Sequence, residues 1–225
     1  MTDSEMLEVE RKYDVGEGDE LPVLESLPEV DRAGPPEDEA LDAVYFDTAG
    51  LALASRGITL RRRTGGHDDG WHLKLPVAAG ERQEFTVQFG KKPGSVPRRL
   101  RRLVQVHTRD HDVIPVARLT TRRTTQRLFS ADGTPLADFS DDRVDSQTLL
   151  EPQAHSTWRE WEIELIDGPK SCSRAPTRCS LKPAAARRRC HPNSPADWAN
   201  SIPRSPNLYP ARSPRDQLRL SSCPT

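Results

Sequence analysis

Two Glu-x-Glu pairs, Glu8/Glu10 and Glu162/Glu164, stand near the two ends of a stretch whose middle carries Arg61, Arg63, Lys74, Arg82 and Arg123. Residues two apart on an extended chain project from the same face. Each pair therefore sets two carboxylates side by side, a hard oxygen donor set of the kind that suits Mg²⁺ or Mn²⁺. Lys12 continues the parity of Glu8 and Glu10, and Asp142 adds a carboxylate on a later segment. The cations are mostly arginines, whose planar forks match phosphate oxygens. One charged strand face is usually a solvated surface. Here the signs are sorted by strand, carboxylates on the first and the last two segments and cations on those between, whereas a solvated face mixes them. That sorting points to a polyanion held by cations with a divalent ion beside it.

The elements that must carry these residues are strands. Segments 7–15, 43–48, 58–64, 70–77, 82–89, 116–129, 134–144 and 158–166 all alternate with period 2, and several are bounded by turn residues such as Gly65-Gly66 and Ala131-Asp132-Gly133. Their parity puts Arg82, Glu84, Asp138 and Glu160 on the charged face as well. The opposite faces are apolar: Val9 and Tyr13, Leu60, Leu73 and Leu75, then Trp161, Ile163 and Leu165. Three segments have helical potential: 22–30, 50–56, and 96–106, where Leu100, Leu103 and Val104 face away from arginines. Residues 32–42 read as an acidic, proline-bearing loop. Antiparallel strands with short connections predict a mainly β (α+β) domain, a barrel or a sheet. His67, His72, His107 and His111 fall in turns and connections and are not expected to act in catalysis.

The ordered motifs resemble one family. Glu8-Val9-Glu10-Arg11-Lys12 is similar to the E-x-E-x-K signature of CYTH domains, or triphosphate tunnel metalloenzymes, which include class IV adenylate cyclases and thiamine triphosphatases. Tyr45-Phe46-Asp47-Thr48, Leu60-Arg61-Arg62-Arg63, Leu73-Lys74-Leu75, Thr121-Arg122-Arg123, Asp142-Arg143-Val144 and Glu162-Ile163-Glu164-Leu165 follow in the family's order. The resemblance implies an eight-stranded antiparallel, tunnel-like barrel with its polar face inward and a few flanking helices. It implies that Glu8, Glu10, Asp142, Glu162 and Glu164 bind Mg²⁺ or Mn²⁺. Lys12, Arg61, Arg63, Lys74 and Arg123 would be catalytic and hold the substrate, joined by Arg82. The implied function is metal-dependent hydrolysis of inorganic triphosphate or a small organic triphosphate. A non-catalytic polyphosphate or nucleotide binder and an adenylate cyclase are the alternatives. Related chains often continue into a helical CHAD domain, so this stretch resembles the N-terminal part of a CYTH-CHAD protein.

The composition divides the chain. Residues 1–167 hold 22 Lys and Arg against 32 Asp and Glu, a net of −10, with no cysteine; residues 168–225 hold 11 against 2, a net of +9, with all four cysteines. The first part is the expected CYTH domain, cytoplasmic and without a membrane partner, since it lacks both cysteine and any long apolar run. Nucleic acid is not an expected partner. The second part is expected to be a non-native or disordered basic tail. The family's Ser-Lys-Leu element, which adds a phosphate-facing lysine, is missing from it. Back-translating from Ser171 in a shifted frame, with G or C at the free positions, recovers Ser-Lys-Leu and leucine pairs seven apart. A reading-frame change is therefore the expectation for the tail.

Overall fold

The computed structural model describes residues 4–79, 81–90 and 94–166. Among the described residues the strands are β1 (Ser4–Val15), β2 (Arg32–Ala33), β3 (Glu37–Asp47), β4 (Thr59–Thr64), β5 (Gly70–Ala78), β6 (Glu81–Val87), β7 (Ile114–Phe129), β8 (Pro135–Thr148) and β9 (His155–Leu165), with one α-helix, α1 (Arg98–Thr108), between β6 and β7. They pair in the order β7-β3-β4-β5-β6-β1-β9-β8, and β8 pairs back onto β7. The ring is thus an eight-stranded, closed, antiparallel barrel. β2 is a two-residue addition that extends the β3 side of β7.

Apolar residues gather in three clusters, of which two cover the outward faces and the third holds Ala43, Tyr45, Val116, Ala117, Leu119 and Val144. Leu60 and Leu73, directly opposite on β4 and β5, join Phe46, Trp71, Leu100 and Val104 in a cluster beneath α1. Phe139 and Ile163, opposite on β8 and β9, join Trp161, Leu128, Leu24 and Leu27 in another. Each pairing removes two large side chains from water, worth roughly 1.5–3 kcal/mol per fully buried side chain. The charged faces are left to the interior of the ring.

All eight sequence-derived strands form, and three local expectations are corrected. The acidic segment 37–42 is not a loop but the first half of β3, because its carboxylates find cross-strand partners: Thr124 Oγ1 donates to Asp38 Oδ1 at 2.7 Å and Arg118 Nε to Asp42 Oδ1 at 3.0 Å. Residues 22–30 yield only a 3₁₀ turn at Leu24–Ser26, since Pro28 cannot supply the N–H that a longer helix needs. Residues 50–56 likewise give a 3₁₀ turn at Ala54–Arg56, ended by Gly57 at φ 69°. The third helix forms as expected, starting after Pro97, with Leu100 and Val104 buried but Leu103 38% exposed. The expected basic tail, including the absent Ser-Lys-Leu element, lies outside the described residues.

Candidate functional site

Strand register fixes which side chains enter the barrel. Lys12 is opposite Glu162, Glu10 opposite Glu164, Glu8 opposite Arg82, and Lys74 opposite Glu84. Asp142 is opposite both Arg123 and Glu160, and Arg61 is opposite Tyr45. Cross-strand partners share a face, so the charged set predicted from parity forms one inward-facing belt. Lys12, Arg61, Arg63, Lys74, Arg82 and Arg123 all line one cavity of about 180 Å³. Arg62 and Arg11, of opposite parity, do not.

Local structure holds the belt in place. β4 turns into β5 through Gly65, whose φ is +95° and whose Cβ, were there one, would stand 1.9 Å from the Ala40 carbonyl oxygen. Only glycine fits there. That turn presents Asp68, which pairs with Arg63 and whose carbonyl oxygen lies 2.8 Å from His72 Nε2. His72 Nδ1 lies 2.9 Å from Glu84 Oε1. His72 is thus a buried inner-wall residue (1% exposed), not the turn histidine expected from the sequence.

The belt is largely self-neutralised. Arg123 grips Asp142 with two hydrogen bonds, at 2.8 and 2.6 Å, and reaches Glu162 Oε2 at 2.7 Å. Lys12 lies 3.2 Å from both Glu160 and Glu162. Lys74 contacts Glu8, and Arg82 Nε stands 3.6 Å from Glu10 Oε1. Asp142, Glu160 and Glu162 each offer an oxygen within 4.8 Å of the others, close enough to share one cation. Glu164 is half-buried at the end of this row, its pKa raised by burial and by Glu8. Asp138 lies at the rim, engaged by Arg127 at 2.9 Å.

Four polar atoms of the belt are buried and find no hydrogen-bond partner among the described residues: Glu8 Oε2, Glu10 Oε2, Arg61 Nε and Arg63 Nε. Such groups are costly to leave unmet. Burial raises the Glu10 carboxyl to about 7 despite Lys12. Glu162 is also buried, yet Lys12 and Arg123 hold it well below the ordinary carboxylate range. Burial, with Arg61 and Arg123 as like-charged neighbours, lowers Arg63 to about 9. Two acidic oxygens, that of Glu10 with only Lys74 Nζ at 4.0 Å, and two guanidinium N–H groups suited to an anion thus lack hydrogen-bond partners.

Sequence reasoning ranked Glu160 below its neighbours because it lacks a motif, but the structure sets it between Asp142 and Glu162; the parity of Glu160-x-Glu162 was the available signal. Tyr45 entered only through the Tyr45-Phe46-Asp47-Thr48 motif and Trp158 only as a strand residue, and neither was assigned to the site. Both line the cavity, and Trp158 Nε1 donates to Glu160 Oε2 at 2.8 Å.

Among known families, the CYTH domain matches residues 6–174. Two Mycobacterium tuberculosis proteins, both described as uncharacterized, are 43% identical over 169 residues, covering 71% of this chain and 33% of theirs. The chain therefore spans about a third of the length of these relatives. A solved structure from Bacillus halodurans, described as a candidate adenylate cyclase, is 18% identical with a TM-score of 0.47, covering 75% of this chain and 85% of its own. A Hippeastrum protein, described as a candidate adenylyl cyclase with a dominant triphosphatase activity, is 16% identical with a TM-score of 0.38, covering 74% and 82%. No described helix is long and apolar enough to cross a membrane.

Proposed function

The chain belongs to the CYTH domain family, and from that premise we propose that it is a divalent-metal-dependent triphosphatase. The observation that carries this reading is the set of unmet buried atoms: acidic oxygens on Glu8 and Glu10 and guanidinium N–H groups on Arg61 and Arg63, within one barrel interior. A bare anion would satisfy the arginines alone, and a bare cation the glutamates alone. A metal-bound polyphosphate satisfies both.

The donor set fits a hard ion. Glu8, Glu10, Asp142, Glu162 and Glu164 would hold Mg²⁺ or Mn²⁺, with Glu160 completing the compact trio. When bound, the ion supplies charge neutralisation on phosphate oxygens and lowers the pKa of bound water. The remaining work falls to the chain. Arg61, Arg63, Arg82 and Arg123 bind phosphate oxygens with their forks, and Lys12 and Lys74 add point charges. In hydrolysis, water oxygen bonds to the terminal phosphorus, the bridging P–O bond breaks, and orthophosphate and diphosphate leave. Such a reaction needs positioning and electrostatic stabilisation more than a nucleophilic side chain. Binding would proceed by exchange of partners: Arg123 and Lys12 give up carboxylates for phosphate as those carboxylates take the ion.

The test is phosphate release from tripolyphosphate by the full chain with Mg²⁺ or Mn²⁺, against a chelated control and Glu10→Gln. Binding without release would make the chain a polyphosphate-binding module. Cyclic AMP from ATP would make it a cyclase. Release that survives chelation overturns the metal dependence.

A further inference from the structure

A chain of contacts runs from the wall of β5 and β6, through the turn between β4 and β5, to Arg63. Asp68 of that turn contacts the Arg63 guanidinium through its carboxylate, and its backbone carbonyl oxygen lies 2.8 Å from His72 Nε2. On the other side of the ring, His72 Nδ1 lies 2.9 Å from Glu84 Oε1. His72 and Glu84 are buried on the paired strands β5 and β6, whereas the Asp68 side chain is about half-exposed. The hydrogen bonds from Gly66 N to Asp69 Oδ1, at 3.2 Å, and from His67 N to Glu39 Oε1, at 3.3 Å, hold the neighbours of Asp68 in the turn. Asp68 itself is tied to the barrel by the buried ring.

A carbonyl oxygen only accepts, so the bond to Asp68 takes a proton on Nε2. The Glu84 contact takes a second one, on Nδ1 or on the carboxyl. With both contacts made, the ring cannot turn, and the Asp68 backbone is fixed against it. The consequence falls on Arg63, which lines the cavity with its Nε unmet. Asp68 engages Nη2 alone. That nitrogen carries two hydrogens, so Asp68 can keep one while a phosphate oxygen takes the other beside the Nε hydrogen. A guanidinium already held in place does not give up its freedom when the ligand arrives.

Resting on the triphosphate reading above, we propose that His72 and Asp68 are positioning residues for Arg63: His72, braced by Glu84, holds the Asp68 carbonyl, and the Asp68 carboxylate holds the guanidinium with its Nε hydrogen left for phosphate. The experiment is calorimetric binding of tripolyphosphate to the full chain with Mg²⁺. His72→Gln sets an amide nitrogen near the place of Nε2 and keeps the bond to Asp68; His72→Asn sets one near Nδ1 and abandons it. His72→Asn and Asp68→Ala should each weaken binding about three- to tenfold, and His72→Gln should stay within about twofold of the wild type. In an Arg63→Ala background none of the three should change affinity further, because the residue they act through is gone. Asp68→Ala alters a half-exposed turn residue and carries the test if His72→Asn does not fold. Unchanged or tighter binding in Asp68→Ala, equal losses in His72→Asn and His72→Gln, or losses that persist without Arg63 overturn the proposal. If the wild type binds no tripolyphosphate, the triphosphate reading falls, and crystal structures of Asp68→Ala and His72→Asn decide instead. Arg63 in its wild-type place in both overturns the positioning role, and a displaced Arg63 supports it.

Discussion

Arg159, buried on the outer face of β9, and Arg61 with Arg63, half-buried on the inner face of β4, have donors that are treated in opposite ways. Arg159 spends every nitrogen: Nε and Nη2 donate to the two oxygens of Asp141 at 2.8 and 3.0 Å, and Nη1 donates to the carbonyls of Gly16, Glu17 and Asp19. It pins the segment after β1 to the barrel wall. Arg61 has a 3.4 Å bond to Tyr45 and Arg63 a contact with Asp68, and both leave Nε unmet. The difference lies in donor accounting. A saturated guanidinium has no donor left to offer, whereas one short of acceptors keeps an N–H available to a ligand.

The sharpest way to break this contrast is to remove the outer arginine. Arg159→Ala leaves the buried Asp141 carboxylate with only the half-exposed Arg143 at 3.7 Å to compensate it and should cost about 3–5 kcal/mol of stability, read from denaturant unfolding, while any folded fraction binds tripolyphosphate normally. Loss of affinity without loss of stability would erase the distinction. Next in size, Glu10→Gln or Glu162→Gln should lower metal-dependent phosphate release by about 10²–10³. The melting temperature should hold or rise in Glu10→Gln, whose carboxyl is raised by burial, and fall in Glu162→Gln, which takes a partner from Lys12 and Arg123. Wild-type rates in either variant remove those residues from the metal set.

Arg61→Ala and Arg63→Ala should each weaken triphosphate binding by about 1.5–3 kcal/mol at little cost in stability. Arg123→Ala should lose on both counts, since Asp142 and Glu162 would be left without their partner. A smaller effect concerns pH. Glu10 titrates near 7 in the fold against 4.5 ordinarily, so the folded state holds the extra proton between those values. Its contribution to stability is complete below about 4.5 and is lost as pH rises through 7. The wild type should therefore take up Mg²⁺ with proton release near pH 6.5, visible by calorimetry in buffers of different ionisation enthalpy. Glu10→Gln should abolish the release. Smallest, Val9→Ala on the outer face should cost about 1 kcal/mol of stability and leave affinity unchanged.

Much of this was legible in the sequence because strand parity is a strict code. Once Glu8, Arg61, Lys74, Arg123 and Glu162 were assigned to charged faces, closure of the ring brought those faces together. Period 2 says nothing of what lies across the cavity, so the Arg123 bridge from Asp142 to Glu162 could not be foreseen. Nor could the burial of His72, a residue flanked by turn signals on one side only. Residues 37–42 were missed as strand because local acidity and Pro35-Pro36 outweighed partners that lie more than seventy positions away, such as Arg118.

The position of β1 between β6 and β9 has a consequence for how the chain is made. Lys12 meets Glu160 and Glu162 across sequence separations of 148 and 150 residues, so the first described strand must wait for the last before its inner face is matched. During vectorial synthesis the ring stays open, with the edge of β1 unpaired until Leu165 has left the ribosome. Contacts of such range slow closure, and the charged interior, soluble while it waits, lowers the hazard of an open sheet in the nascent chain.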